Sequence, residues 1–125
     1  MSSLSIKRFV SSGVPKHPYE KVAKHVLPSW DISLVFAGRT RAITLNKRLR
    51  RKSYAPNVLS YKVGAKSGEI IICPSVASSQ ARSYALSQSD FILYLFIHGL
   101  LHLKGHAHGS TMEKRERATL ARFMR

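Results

Sequence analysis

The amino-acid sequence predicts an α/β (α+β) fold, a small mixed sheet of about four strands with helices packed on it. Three observations carry this expectation. Strand-type and helix-type apolar spacings follow one another in the order strand, helix, strand, helix, strand, strand, helix, helix. Hydrophobic residues make up 44% of the 125, enough to bury a core and too many for a disordered chain. No internal repeat or linker-like stretch interrupts the pattern, so residues 1–125 are expected to form one domain.

The elements follow in order. Residues 4–10 (LSIKRFV) read as a strand; this acid-poor, serine-rich start has a faint transit-peptide character but no apolar region of secretory type. Residues 17–27 (HPYEKVAKHVL) put Tyr19, Val22, Ala23 and Val26 at helical spacing, with Pro18 near the start and Pro28 closing the segment. Residues 31–38 (DISLVFAG) are rich in strand formers and end at a glycine. Thr40 is expected to cap a helix through RAITLNKRLRRK, whose apolar side carries Ala42, Leu45 and Leu49. NVLSYKV (57–63) reads as a strand, SGE (67–69) as a turn and IIICP (70–74) as a buried strand, with a short helix after Pro74. Ser87 opens the long helix, with Asp90 three positions on as an imperfect capping box. Gly105 is expected to stop it after Lys104. The tail from residue 110 reads as a basic amphipathic helix with Met112, Leu120 and Phe123 as its apolar residues.

Charge narrows the function. There are 21 Lys and Arg against 6 Asp and Glu, a formal net charge of +15. That imbalance points to a polyanionic partner, nucleic acid first and an anionic membrane surface second. Between Asp31 and Glu69 the chain has no acidic residue, only basic ones. A helix is sided, so the cluster KRLRRK makes a phosphate-tracking surface with one arginine turned inward. The apolar stretch FILYLFIHGLLHL (91–103) falls short of the ~20 residues a bilayer requires. Cys73 is the single cysteine, which excludes an intrachain disulfide and suits a reducing, cytoplasmic setting. It follows the run Ile70-Ile71-Ile72 and reads as a small buried hydrophobe.

The segment HGLLHLKGHAH (98–108) carries the chemistry. His98 and His102 are four apart in a helical pattern, so they share one face with Cβ atoms ~5–6 Å apart. Gly105 breaks the helix and lets His108 return to the same point, with His106 in the turn as a competitor for third ligand. The spacing H-x-x-x-H-x-x-G-x-x-H favours His108 and is that of zinc proteases of the metzincin type. Three imidazoles leave a fourth position on zinc open for water. Nickel or copper would also bind such a set. His17 and His25 lie far off in sequence and read as surface histidines. In the protease pattern the residue after the first histidine is a glutamate that acts as base. Here it is Gly99, and the segment offers no carboxylate. A Lewis acid beside many cations suits a phosphodiester instead.

The same residues resemble a known family. HGLLHLKGHAH is similar to the signature H-G-x-L-H-L-x-G-x-D-H of the YbeY-type endoribonucleases, the rRNA maturation factors. LNKRLRRKSYAPNVLSY (45–61) resembles the family's L-N-x-x-Y-R-x-x-x-x-P-T-x-V-L-S-F without a gap, GEIIIC (68–73) its G-D-I-V-I-C, and Met112 with Glu116 its closing M-x-x-x-E. Residues ~30 to 120 are covered. The resemblance implies one zinc per chain, held by His98, His102 and His108, and endonucleolytic cleavage of single-stranded RNA. It implies action on ribosomal RNA, notably at the small-subunit 3′ end, and in ribosome quality control, with the ribosome or its small-subunit precursor as partner and no membrane. Its functional arginine falls on Arg50, which the resemblance gives a role in phosphate binding and transition-state stabilisation. Arg48, Arg51 and Lys52 would then add RNA-binding charge. Ala107 stands where the family has Asp, Leu49 where it has Tyr, and Ala55-Pro56 where it has Pro-Thr.

Overall fold

A computed structural model describes residues 3–107 and 109–124. The chain runs β1 (Ser3–Arg8), α1 (Tyr19–Val26), β2 (Asp31–Phe36), α2 (Arg39–Arg50), β3 (Val58–Gly64), β4 (Ser67–Ile72), α3 (Pro74–Gln80), a 3-10 turn (Ala81–Tyr84), α4 (Gln88–Lys104) and α5 (Ser110–Phe123). The sheet order is β1-β2-β4-β3. β1 and β4 flank β2 in parallel, and β3 closes the edge antiparallel to β4. This is the α/β fold with a four-strand mixed sheet that the element pattern predicts.

The core lies between the sheet and α4. Ten of the 17 residues of α4 are buried, around all of the helix but the face of Tyr94, His98 and His102, so it is the central helix of the fold. Phe91, Phe96, Ile97 and Leu100 join Leu34, Phe36, Ile70 and Ile72 in one cluster, which α1 completes through Tyr19, Val22 and Val26. On the other face of the sheet, Val35, Leu59 and Ile71 form a smaller cluster under Leu45 of α2. Two glycines set how closely α4 approaches the sheet. A Cβ at Gly99 would stand 3.1 Å from Ile70 Cγ2, and one at Gly68 would stand 2.7 Å from Leu103 Cδ1. The helix ends follow the sequence signals. Ser87 Oγ accepts from the Asp90 N–H at 3.1 Å, and Gly105 leaves the helix at φ +110°.

Four local expectations need correction. SGE is not the turn: Ser67, Gly68 and Glu69 pair in register with Asp31, Ile32 and Ser33, and the turn falls at Ala65-Lys66. The pairing with β2 overrides the turn propensity of Ser-Gly. Thr40 is not the cap: Gly38 takes that position, and Thr40 lies inside the first turn, its carbonyl accepting from Thr44 Oγ1. Leu49 does not face the core; it is 41% exposed, and Asn46 is buried in α2 instead. Asn46 Nδ2 donates to the Tyr54 carbonyl at 3.0 Å, so the loop after α2 recruits a polar residue as its anchor. Arg51 ends α2 in the left-handed region at φ 58°. His17 also differs from a surface histidine: it is half-buried, and Nε2 donates to the Ser89 carbonyl at 2.8 Å. Among the described residues no helix is long and apolar enough to cross a membrane.

Candidate active site

Three elements converge where α4 crosses β3. His98 and His102 stand one turn apart on α4 because their spacing is four and the helix is regular there. Arg50 comes from the last turn of α2, which Arg51 terminates at once, so the chain leaves with Arg50 still at the helix end. β3 supplies Val58, Leu59 and Ser60. Together these six residues line a cleft of about 160 Å³. The structure thus brings Arg50, His98 and His102 together, although Arg50 and His98 are 48 positions apart in the sequence.

Each imidazole is held through Nδ1. His102 Nδ1 lies 3.1 Å from the Ser60 hydroxyl. His98 Nδ1 donates to the carboxylate of Glu116 on α5. Glu116 is only 3% exposed, one of two buried polar or charged residues among the described residues. Its other oxygen accepts from the Tyr94 hydroxyl at 2.8 Å. Burial pushes the Tyr94 phenol well above its ordinary pKa, and the hydrogen bond to Glu116 and its negative charge push the same way. Tyr94 therefore stays protonated and keeps donating. Imidazoles whose Nδ1 is occupied by a carboxylate or hydroxyl from another element are oriented as metal-binding histidines are.

The remaining candidates fall as follows. His108 lies outside the described residues. Arg48, Arg51 and Lys52 are exposed and do not line the cleft. His106 borders neither this cleft nor the larger one beside His98. Cys73 is buried with Ala42 and Val76 and lines neither cleft beside His98. Among the described residues no group of three or more His, Cys, Asp or Glu is placed to hold a metal ion. Tyr94 escapes sequence reasoning, and Ser60 enters it only as a position of the family motif with no role attached. Glu116 appears there only as a family match; its burial on an otherwise basic helix is the physical signal that singles it out.

A second, larger cleft of about 500 Å³ opens on the other side of His98, with Tyr84, Tyr94, Asn57 and Arg117 in its walls.

Known proteins similar to this chain share one description. A protein from Bdellovibrio bacteriovorus described as endoribonuclease YbeY is 33% identical over 91 residues, 71% of this chain and 61% of its own length. One from Renibacterium salmoninarum with the same description is 34% identical over 117 residues, 83% of this chain and 73% of its own. One from Idiomarina loihiensis is 28% identical over 97% of this chain and 88% of its own length. The chain thus spans about six-tenths of the Bdellovibrio relative and more of the other two. A solution structure from Thermotoga maritima shares the fold, with a TM-score of 0.66, 19% identity and coverage of 94% of this chain and 86% of its own. The family described as endoribonuclease YbeY matches residues 6–124, and the chain belongs to that family.

Proposed function

We propose that this chain is a zinc-dependent endoribonuclease that cleaves single-stranded RNA, acting in maturation of ribosomal RNA at the small-subunit 3′ end and in ribosome quality control. The single observation that carries the reading is that Arg50, His98 and His102 line one cleft. The donor set fits zinc: two imidazoles one turn apart, each oriented through Nδ1 by a partner from another element, with His108 as the third ligand. Zinc when bound supplies a Lewis acid that acidifies water and polarises a phosphoryl oxygen.

The chain's own residues do the rest. The Arg50 guanidinium binds two non-bridging phosphate oxygens at once, which both orients the phosphodiester and offsets the charge that builds on it. Glu116 and Ser60 fix the rings of His98 and His102. Arg48, Arg51 and Lys52 follow the RNA backbone outside the cleft and raise the rate of encounter. The polyanion is ribosomal RNA, met in the cytoplasm on the ribosome or its small-subunit precursor. A metallopeptidase reading fails on Gly99: the position after His98 is packed against Ile70, so a base there would lie in the core and not beside the histidines.

The test is zinc content by mass spectrometry together with cleavage of a labelled single-stranded RNA, for wild type, His102→Ala and Arg50→Ala. The expected result is one zinc per chain in wild type and in Arg50→Ala, loss of zinc in His102→Ala, and loss of cleavage in both variants. Zinc without cleavage in wild type would replace the nuclease by an RNA-binding assembly factor with a structural zinc. No metal in wild type would refute the zinc site.

A further inference from the structure

We infer that the larger cleft beside His98 is a nucleobase subsite, in which a base of the single-stranded RNA next to the bound phosphodiester stacks on Tyr84. The inference rests on the ribonuclease reading of the neighbouring cleft and names where the substrate's base goes.

The two clefts share His98 and Val58, so they form one continuous surface around the histidine. A phosphate held at Arg50 therefore has its neighbouring nucleoside within reach of the larger cleft. At about 500 Å³ that cleft has the size of a small-molecule site. Its aromatic wall is built from the 3-10 turn and α4. Tyr84 is backed by Phe91, with ring centroids 4.7 Å apart at 33°, and by Tyr94 at 5.7 Å and 45°. It is nonetheless 43% exposed, so ring surface is left open to a ligand. Ala85 follows it at φ 57°, a left-handed conformation that a residue with a Cβ adopts only against strain, and this ends the turn directly after Tyr84.

The polar lining selects the ligand class. Glu113 and Glu116, two of only 6 acidic residues in the chain, line this cleft. Arg117 lines the cleft too and lies 3.8 Å from Glu113, so the lining carries both signs; the Glu116 oxygens already accept from His98 and Tyr94, and Glu113 is the carboxylate left to accept from an exocyclic amino group. Asn57 adds an amide whose Nδ2 donates to Gln80 Oε1 at 2.7 Å, which fixes its plane at the rim. Stacking on an aromatic ring tolerates any base, because every base has a π-face.

The test measures binding in chelator, where no cleavage occurs, of a short adenine homo-oligomer and of a base-free ribose-phosphate oligomer of equal length. Wild type, Tyr84→Phe, Tyr84→Leu and Tyr84→Ala are compared, each checked by its melting curve. Tyr84→Ala and Tyr84→Leu should bind the adenine oligomer about tenfold more weakly, with Tyr84→Phe close to wild type and the base-free oligomer bound equally by all. Unchanged adenine binding in both non-aromatic variants would overturn the proposal. So would an equal loss on both oligomers, or a wild type that prefers neither. Failure of the ribonuclease reading shows elsewhere, as wild type with zinc that leaves RNA intact, and does not alter the binding comparison.

Discussion

Glu116→Gln is expected to weaken zinc binding by about ten- to a hundredfold while the fold survives. Glu116 is buried and accepts from His98 Nδ1 and from the Tyr94 hydroxyl. Glutamine has the same shape. Its carbonyl can keep accepting from His98, and its amide can donate to the Tyr94 oxygen once that hydroxyl rotates. What is lost is charge assistance at both bonds, a drop of about 1 kcal/mol each from the ~1.5–3 kcal/mol of a charged bond to the ~0.5–1.5 kcal/mol of a neutral one. The metal-free protein should therefore lose about 2 kcal/mol, within the reserve of a small domain. The imidazole of His98 becomes a poorer donor to the metal, since a carboxylate on Nδ1 raises ligand basicity and an amide does not. Competition against a chromophoric chelator gives the zinc affinity, and denaturant melts in chelator give the stability of the apo form. Glu116→Ala removes the acceptor of both bonds and should cost more stability than Glu116→Gln. Wild-type zinc affinity in a folded Glu116→Gln would refute the assignment of Glu116 as the group that orients His98.

Three further outcomes are expected. Gly99→Ala puts a Cβ 3.1 Å from Ile70 Cγ2, an overpacking of about 1–3 kcal/mol against a helix-propensity gain of about 1 kcal/mol. A net loss of up to about 2 kcal/mol should appear in urea melts, partly recovered in the Gly99→Ala/Ile70→Val double variant, which shortens the side chain in contact. Burial and the Glu69 carboxylate push the Tyr61 phenol up to about 12 from 10.0. The folded value lies above the unfolded one, so this stabilisation is complete below pH 10 and is lost as pH rises toward 12. The melting temperature should fall over that window, and Tyr61→Phe should flatten the fall. Replacing Arg48, Arg51 and Lys52 together by Ala should lower the slope of log affinity against log salt for single-stranded RNA by about 0.7 per phosphate contact removed, up to about 2 in all. An unchanged slope in binding titrations would place the RNA path elsewhere.

What the sequence reveals and what it hides divide along physical lines. The long helix is legible because its signals are local: Ser87 three residues before Asp90, an unbroken apolar run, and a glycine at the end. The histidine pair is legible because helical spacing alone puts both on one face. Leu49 and the SGE segment mislead because their fate is settled by partners distant in sequence. The buried anchor of α2 is an asparagine bonded to a loop carbonyl, and SGE is claimed by β2. Arg50 stands among six consecutive residues of which five are basic; composition does not mark it, the family resemblance does, and the convergence of α2, β3 and α4 sets it apart from its neighbours in space. Tyr94 carries no sequence signature and Ser60 only a motif match without a role, since a serine in a strand and a tyrosine in an apolar helix are ordinary residues until their partners are seen.

Helix geometry also decides how this site can use a carboxylate. Successive residues on α4 are turned about 100° apart, so when His98 faces the cleft, Gly99 faces the sheet. It sits so close to Ile70 that no acidic side chain fits there without opening the core. A general base next to the first histidine, the arrangement of zinc proteases, is therefore closed to this fold by packing before any question of chemistry arises. The carboxylate that the site does have comes from α5, and it reaches His98 at Nδ1. From that side it holds the ring and adds to its electron density. The charge that completes the cleft on the opposite side is Arg50. A cleft with a guanidinium, two oriented imidazoles and no carboxylate in its lining is suited to an anionic phosphodiester and poorly suited to a neutral peptide bond, and the net charge of +15 outside it favours the same substrate.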